Sequence, residues 1–177
     1  MKVKTNLRQV KYFSLLGILF SGCITKHLTS TDGSKDNRIQ IGEFQKGDLS
    51  YEIFRLDNFN QITSEQSKLK TIKLSVRIIN KGGGQSPLRA ISNNLDEYNS
   101  RYSYLLNNAK NDLIIKTHSA VLCPVYYSFE NNYNAFPFET INVGYELNRK
   151  QAKGSVQLIF VDKIFTQDSI FFNLKLK

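Results

Sequence analysis

Tryptophan is absent from the 177 residues, and the chain has only two cysteines, two histidines, three prolines and one methionine. Each scarcity removes a class of chemistry. His27, His118 and the two cysteines, Cys23 and Cys123, are too few and too scattered for a zinc site. Without tryptophan, a glycan-binding platform loses its best aromatic. No Gly-x-Ser-x-Gly elbow is present, and Ser119 beside His118 would face the opposite side of a strand. Gly82-Gly83-Gly84 lacks the Lys-Ser/Thr and helix start of a phosphate loop. Asp32, Ser34, Asp36 and Glu43 fall at calcium-loop positions, but Asn37 stands where the glycine belongs and no helix is predicted on either side. No cofactor or metal is expected.

The N-terminal 23 residues carry the strongest pattern. Lys2, Lys4, Arg8 and Lys11 make a basic start with no acidic residue, followed by an apolar stretch from Tyr12 to Phe20. Ser21 and Gly22 are small, and Cys23 follows them. A basic segment, a short apolar segment and small residues before a cut make an export signal. About ten residues at ~1.5 Å each cover roughly 15 Å, against a hydrocarbon core of ~30 Å. A transmembrane helix is the weaker reading.

Phe20-Ser21-Gly22-Cys23 resembles the lipobox of bacterial lipoproteins, with Phe20 where that family usually has an aliphatic residue. The resemblance implies that Cys23 is alkylated with diacylglycerol and becomes the first residue after cleavage. Alkylation requires a thiolate nucleophile. One acyl chain holds a protein only marginally; the two or three chains of the family would make release negligible. The implied location is the cell envelope, lipid-anchored to a bacterial membrane.

Three segments are expected: a signal peptide over 1–22, a flexible tether over 23–37 and a domain over 38–177. The tether is rich in Ser, Thr, Asp and Lys and shows no apolar period. The chain carries a net charge of +9. Four of its 24 basic residues precede Cys23, which leaves 20 against 15 acidic residues, or +5. Much of the basicity therefore serves targeting, and no nucleic-acid partner is expected. A weak preference for anionic lipid or envelope glycans is compatible with the remaining charge. Cys123, set among Val121, Leu122, Pro124 and Val125, reads as a buried, inert thiol.

Beyond Arg38 the dominant signal is alternation with period two, the mark of half-buried strands. Ile72, Leu74, Val76 and Ile78 alternate across 70–80. Ile141, Val143, Tyr145 and Leu147 do so across 140–147, and Ile170, Phe172, Leu174 and Leu176 across 169–176. Weaker strands are expected at 39–44, 49–56, 112–116, 121–129 and 155–161. Val156–Val161 looks apolar on both faces and so central. Leu95, Tyr98, Tyr102, Leu105, Leu106 and Ala109 recur at helical spacing, with Asn93 or Asn94 as cap and Glu97 or Asp96 paired with Arg101. About eight short strands around one short helix predict a mainly β, antiparallel β-sandwich. The run from Phe136 to Leu147, then 155–161 and 169–176, resembles the C-terminal half of immunoglobulin-like domains in bacterial lipoproteins. That resemblance implies an immunoglobulin-like sandwich without the Cys…Trp…Cys hallmark, and it brings no catalytic residues.

Tyr126, Tyr127, Phe129, Tyr133, Phe136 and Phe138 crowd into 13 residues around Glu130-Asn131-Asn132. Tyrosine and asparagine together suit a recognition surface, since rigid aromatic area comes with adaptable hydrogen bonds. Tyr126, Tyr127, Tyr133 and Phe136 are the candidate partner-binding residues. The competing assignment puts Tyr127 and Phe129 in the core and packs Phe138 beneath the next strand. The expected function is that of a non-catalytic envelope lipoprotein that binds a protein partner or supports an envelope assembly. The alternative is a lipoprotein that binds a glycan or small molecule; an enzyme ranks third.

Overall fold

A computed structural model describes residues 38–56 and 69–174. Among the described residues, nine strands form two antiparallel sheets. They are β1 (Arg38–Lys46), β2 (Leu49–Leu56), β3 (Leu69–Asn80), β4 (Leu113–Thr117), β5 (Val121–Leu122), β6 (Tyr126–Glu130), β7 (Phe138–Asn148), β8 (Val156–Val161) and β9 (Ser169–Leu174). The first sheet has the order β1-β2-β3-β7-β6 and the second β5-β4-β8-β9. The expected mainly β, antiparallel sandwich is what the chain forms. The immunoglobulin-like assignment within it is not carried by strand order. In that fold the third strand crosses to the other sheet, whereas here β1, β2 and β3 are consecutive neighbours in one sheet.

The period-two pattern places the core. Tyr51 and Ile53 of β2, Ile72, Leu74, Val76 and Ile78 of β3, and Ile141, Val143, Tyr145 and Leu147 of β7 are buried on one face of the first sheet. Leu113, Ile115, Val156, Leu158, Phe160, Ile170, Phe172 and Leu174 join them from the second. The Tyr51 ring meets Phe160 edge-on at 6.2 Å and Phe44 at 5.9 Å, so aromatic contacts link the layers. The strands β1 and β2 are joined by the two-residue loop Gly47-Asp48, with Gly47 at φ 58°. A side chain there would be strained. At Gly42, just past a register shift in β1, a Cβ would come within 3.0 Å of the Phe172 ring. Glycine at that point permits the close approach of β9.

The single expected helix is one of three among the described residues: α1 (Pro87–Ala90), α2 (Leu95–Asn107) and α3 (Arg149–Lys153), with a 3-10 turn at Ala109–Asp112. α2 matches the predicted segment but stops at Asn107. The two missed helices are short and are set by their caps rather than by an apolar stripe. Ser86 caps α1 ahead of Pro87, and Asn148 with Gln151 forms a capping box at α3.

Two further expectations need correction. The strand predicted at 121–129 is two strands in different sheets, because Pro124 has no N–H for a ladder and the chain crosses between layers there. Val156–Val161 is central in its sheet but buried on one face only: Gln157, Ile159 and Val161 are half-exposed. No helix among the described residues is long and apolar enough to cross a membrane.

Candidate interaction surface

The aromatic segment does not form one patch. Tyr126 starts β6 on the outward face of the first sheet, half exposed, beside Gly144 of β7, and its hydroxyl lies 3.0 Å from Ser128 Oγ. Tyr127 points the other way. It is only partly exposed, and its hydroxyl donates to the backbone oxygen of Leu105 in α2 at 2.5 Å. Burial pushes its ionisation up, as do the Asp112 charge and Tyr104. Tyr127 therefore ties α2 to the sheet and lies on the side of β6 that the competing assignment gave it, apart from Tyr133 and Phe136. Phe129 is buried as the competing assignment had it.

Tyr133 and Phe136 sit in the loop between β6 and β7 and are the most open of the group, at 78% and 56% exposure. Tyr133 and Asn134 both take left-handed backbone, at φ 54° and 66°. The conformation is unusual for tyrosine and common for asparagine. Five asparagine-centred bonds brace it. Asn131 donates to the Tyr98 hydroxyl at 2.6 Å and accepts from the Tyr133 N–H at 2.7 Å. Asn132 Nδ2 donates to the backbone oxygens of Phe136, at 3.1 Å, and Phe138. Asn134 Oδ1 accepts from the Ser86 N–H at 2.6 Å.

The loop presents its two aromatics in different settings. Phe136 stacks on Phe138 at 5.5 Å with 17° between the ring planes. Phe138 in turn lies 4.7 Å from the Arg77 guanidinium, which also sits 5.2 Å from the Phe54 ring. The series Phe136, Phe138, Arg77, Phe54 runs across the outward face of the first sheet from β7 to β2. The expected place of Phe138, beneath the next strand, is not the one it takes. Tyr133 belongs with α2. Its hydroxyl is beside that of Tyr102, whose ionisation is pushed up first by burial and then by Tyr133. Tyr102 stacks on Tyr98 at 6.3 Å and meets Phe129 at 6.0 Å.

Beneath this loop lies Glu139, which the sequence analysis did not single out. It is fully buried, and neither carboxyl oxygen has a hydrogen-bond partner. Burial pushes its pKa up to about 7; Ser86 and the Asn132 backbone, close by but without good bonding geometry, pull it down only in part. The signal was present. Glu139 has the same parity as Ile141, Val143, Tyr145 and Leu147, so alternation alone puts it on the inward face.

No family model, curated protein or solved structure matches this chain.

The remaining sequence-level candidates take structural places. His118 and Ser119 lie in the bend after β4. Glu97 pairs with Arg101 at 2.5 Å, as the helical spacing predicted. Among the described residues no group of three His, Cys, Asp or Glu side chains is placed to hold a metal. Cys123 is exposed, not buried. The apolar residues around it are themselves largely at the surface, because β5 is a two-residue edge strand that covers little. Cys23, the tether over 23–37 and most of the calcium-like pattern lie outside the described residues; Glu43 is within them and faces Lys81 at 3.5 Å.

Proposed function

We propose that this protein is a non-catalytic envelope lipoprotein, anchored through lipid on Cys23, whose sandwich domain binds a protein partner through the Asn131–Pro137 loop. The observation that carries the binding role is the pair of open aromatics, Tyr133 and Phe136, on a loop held by asparagine bonds rather than left free. Binding hot spots favour rigid aromatic and arginine side chains whose conformation is set before the partner arrives. Phe136, Phe138 and Arg77 supply such a group on one side of the loop, and Tyr133 extends it on the other. The loop sits next to a nine-stranded framework, so little ordering cost falls on its backbone. The lipobox supports the anchor. A net charge of +5 after cleavage would keep the domain near an anionic envelope surface without specifying what it binds.

The test is crosslinking in intact cells of the wild type and a Tyr133→Ser/Phe136→Ser variant. Both side chains are at the surface, so the variant is expected to keep its stability within ~0.5 kcal/mol. A discrete crosslinked adduct of the wild type should be lost or reduced at least tenfold in the variant. An undiminished adduct would remove the loop from the interface.

A further inference from the structure

The loop that carries Tyr133 and Phe136 closes over buried acceptors that lack a well-formed hydrogen bond, with the Ser86 hydroxyl and the Asn132 N–H offsetting the burial of Glu139 only in part. Glu139 Oε1 and Oε2 and Asn132 Oδ1 are all enclosed and all unpaired. The Asn132 amide has no freedom to turn round, because its Nδ2 serves the backbone oxygens of Phe136 and Phe138, which need a donor. An ionised carboxylate adds charge but supplies no donor, and an enclosed charge without a partner is costly. A protonated carboxyl gives up the charge and so removes that cost.

We infer that a proton on Glu139 closes the Asn131–Pro137 loop, and that ionisation of Glu139 loosens it. The consequence for partner binding rests on the reading of this loop as the binding surface; the switch itself does not. The groups that face Glu139 agree. α1 offers the Ser86 hydroxyl at its cap, the loop offers the Asn132 backbone, and α2 offers Tyr102. β3 places the apolar Ile78 directly opposite. None of these is a cation. Arg77, one residue from Ile78, projects from the other face of the sheet, where its guanidinium lies over Phe54 and Phe138, and Arg89 of α1 is solvent-exposed. The mechanical route is short. Glu139 follows Phe138, whose backbone oxygen anchors Asn132, and Ser86 is both a neighbour of the carboxyl and the donor to Asn134. Water admitted to solvate a carboxylate would compete for these bonds.

The sign follows from linkage. Burial raises the carboxyl from its ordinary 4.5 to about 7 in the closed loop, and opening returns it towards 4.5. The closed form therefore binds more protons between those values. Its stability is complete below 4.5, falls about tenfold in equilibrium constant per pH unit as pH rises to about 7, and is level above that.

Hydrogen exchange of the full chain tests this without any partner. Amide exchange across residues 131–137, corrected for the intrinsic pH dependence, should show an opening constant at least thirtyfold larger at pH 7.5 than at pH 5.0 in the wild type. In Glu139→Gln, a neutral isostere, it should change less than threefold. A wild-type loop with equal opening at both pH values overturns the proposal. So does a carboxyl carbon-13 titration of wild-type Glu139 with a midpoint below 5, which needs no variant to fold. If exchange switches while crosslinking through Tyr133 and Phe136 fails, the proton switch stands and the binding role of the loop falls.

Discussion

Asp162 and Glu139 are two buried carboxyls in one small domain with opposite surroundings. Asp162, at the end of β8, accepts from the Tyr51 hydroxyl at 2.5 Å and from the backbone N–H groups of Ile164, Phe165 and Thr166 at 3.0, 2.9 and 2.8 Å. The Thr166 hydroxyl adds a fifth bond at 2.9 Å. The Tyr51 hydroxyl is driven to higher ionisation by burial and then by this neighbouring charge, so it stays a donor. Removing the carboxylate would leave one phenol and three backbone donors without their acceptor. Hydrogen bonds to charged groups contribute ~1.5–3 kcal/mol each, and a stranded buried donor costs ~1–3 kcal/mol. Asp162→Ala should therefore lower unfolding stability by about 3 kcal/mol or more, read from the urea midpoint. A loss under 1 kcal/mol would show that the loop after β8 re-pairs its donors with water. Asp112 is a lesser relative: it takes the Tyr104 hydroxyl at 2.5 Å and Lys163 Nζ at 2.6 Å, closing the 3-10 turn onto the start of the 162–168 loop.

Among the elements, α2 matters most to the candidate surface, since Tyr98 and Tyr102 back the loop while Leu105 enters the core. Its start is fixed by local chemistry. Asn94 Oδ1 accepts from the Glu97 N–H at 2.9 Å, and the Glu97 carboxylate reaches back to the Asn93 N–H at 2.8 Å. The Glu97 carboxyl is held below its usual range chiefly by that backbone bond, with Arg101 as a smaller cause. An N-cap asparagine contributes ~1 kcal/mol. Asn94→Ala should lower stability by about that amount with an unchanged denaturant slope. A lowered slope would instead mean that α2 had detached from the sheet in the native state. Periodicity announced α2 and the long strands because each buries one continuous face. It was silent on α1 and α3, which bury too little for a stripe, and on the break at Pro124, where two apolar strands in different sheets read as one apolar run.

At the scale of the whole molecule, the proposed reading rests on two features: a lipidated Cys23 and a partner-binding loop. The anchor is tested directly. With an alkyne fatty acid supplied to growing cells, the wild type should be labelled and membrane-bound, and Cys23→Ser should be unlabelled and retain its first 22 residues. A wild type that is cleaved yet unlabelled and soluble would remove the anchor. The exposed Cys123 would then make a bond between the two cysteines the next experiment, by non-reducing gel.

The amino-acid sequence by itself determined the strand-rich class, the inward residues of β3, β7 and β9, the helix α2 with its cap and its Glu97–Arg101 pair, and the salience of Tyr133 and Phe136. These are local properties: alternation, helical spacing, capping chemistry and turn residues act over a few positions. Tertiary structure alone decided which sheet each strand joins, that Tyr127 spends its hydroxyl on Leu105, that Cys123 is open, and that Arg77 lies between Phe54 and Phe138. It also decided that Glu139, whose parity already marked it as inward, has no partner waiting there. Each of these depends on what a distant segment brings to the same place, and no local pattern records that.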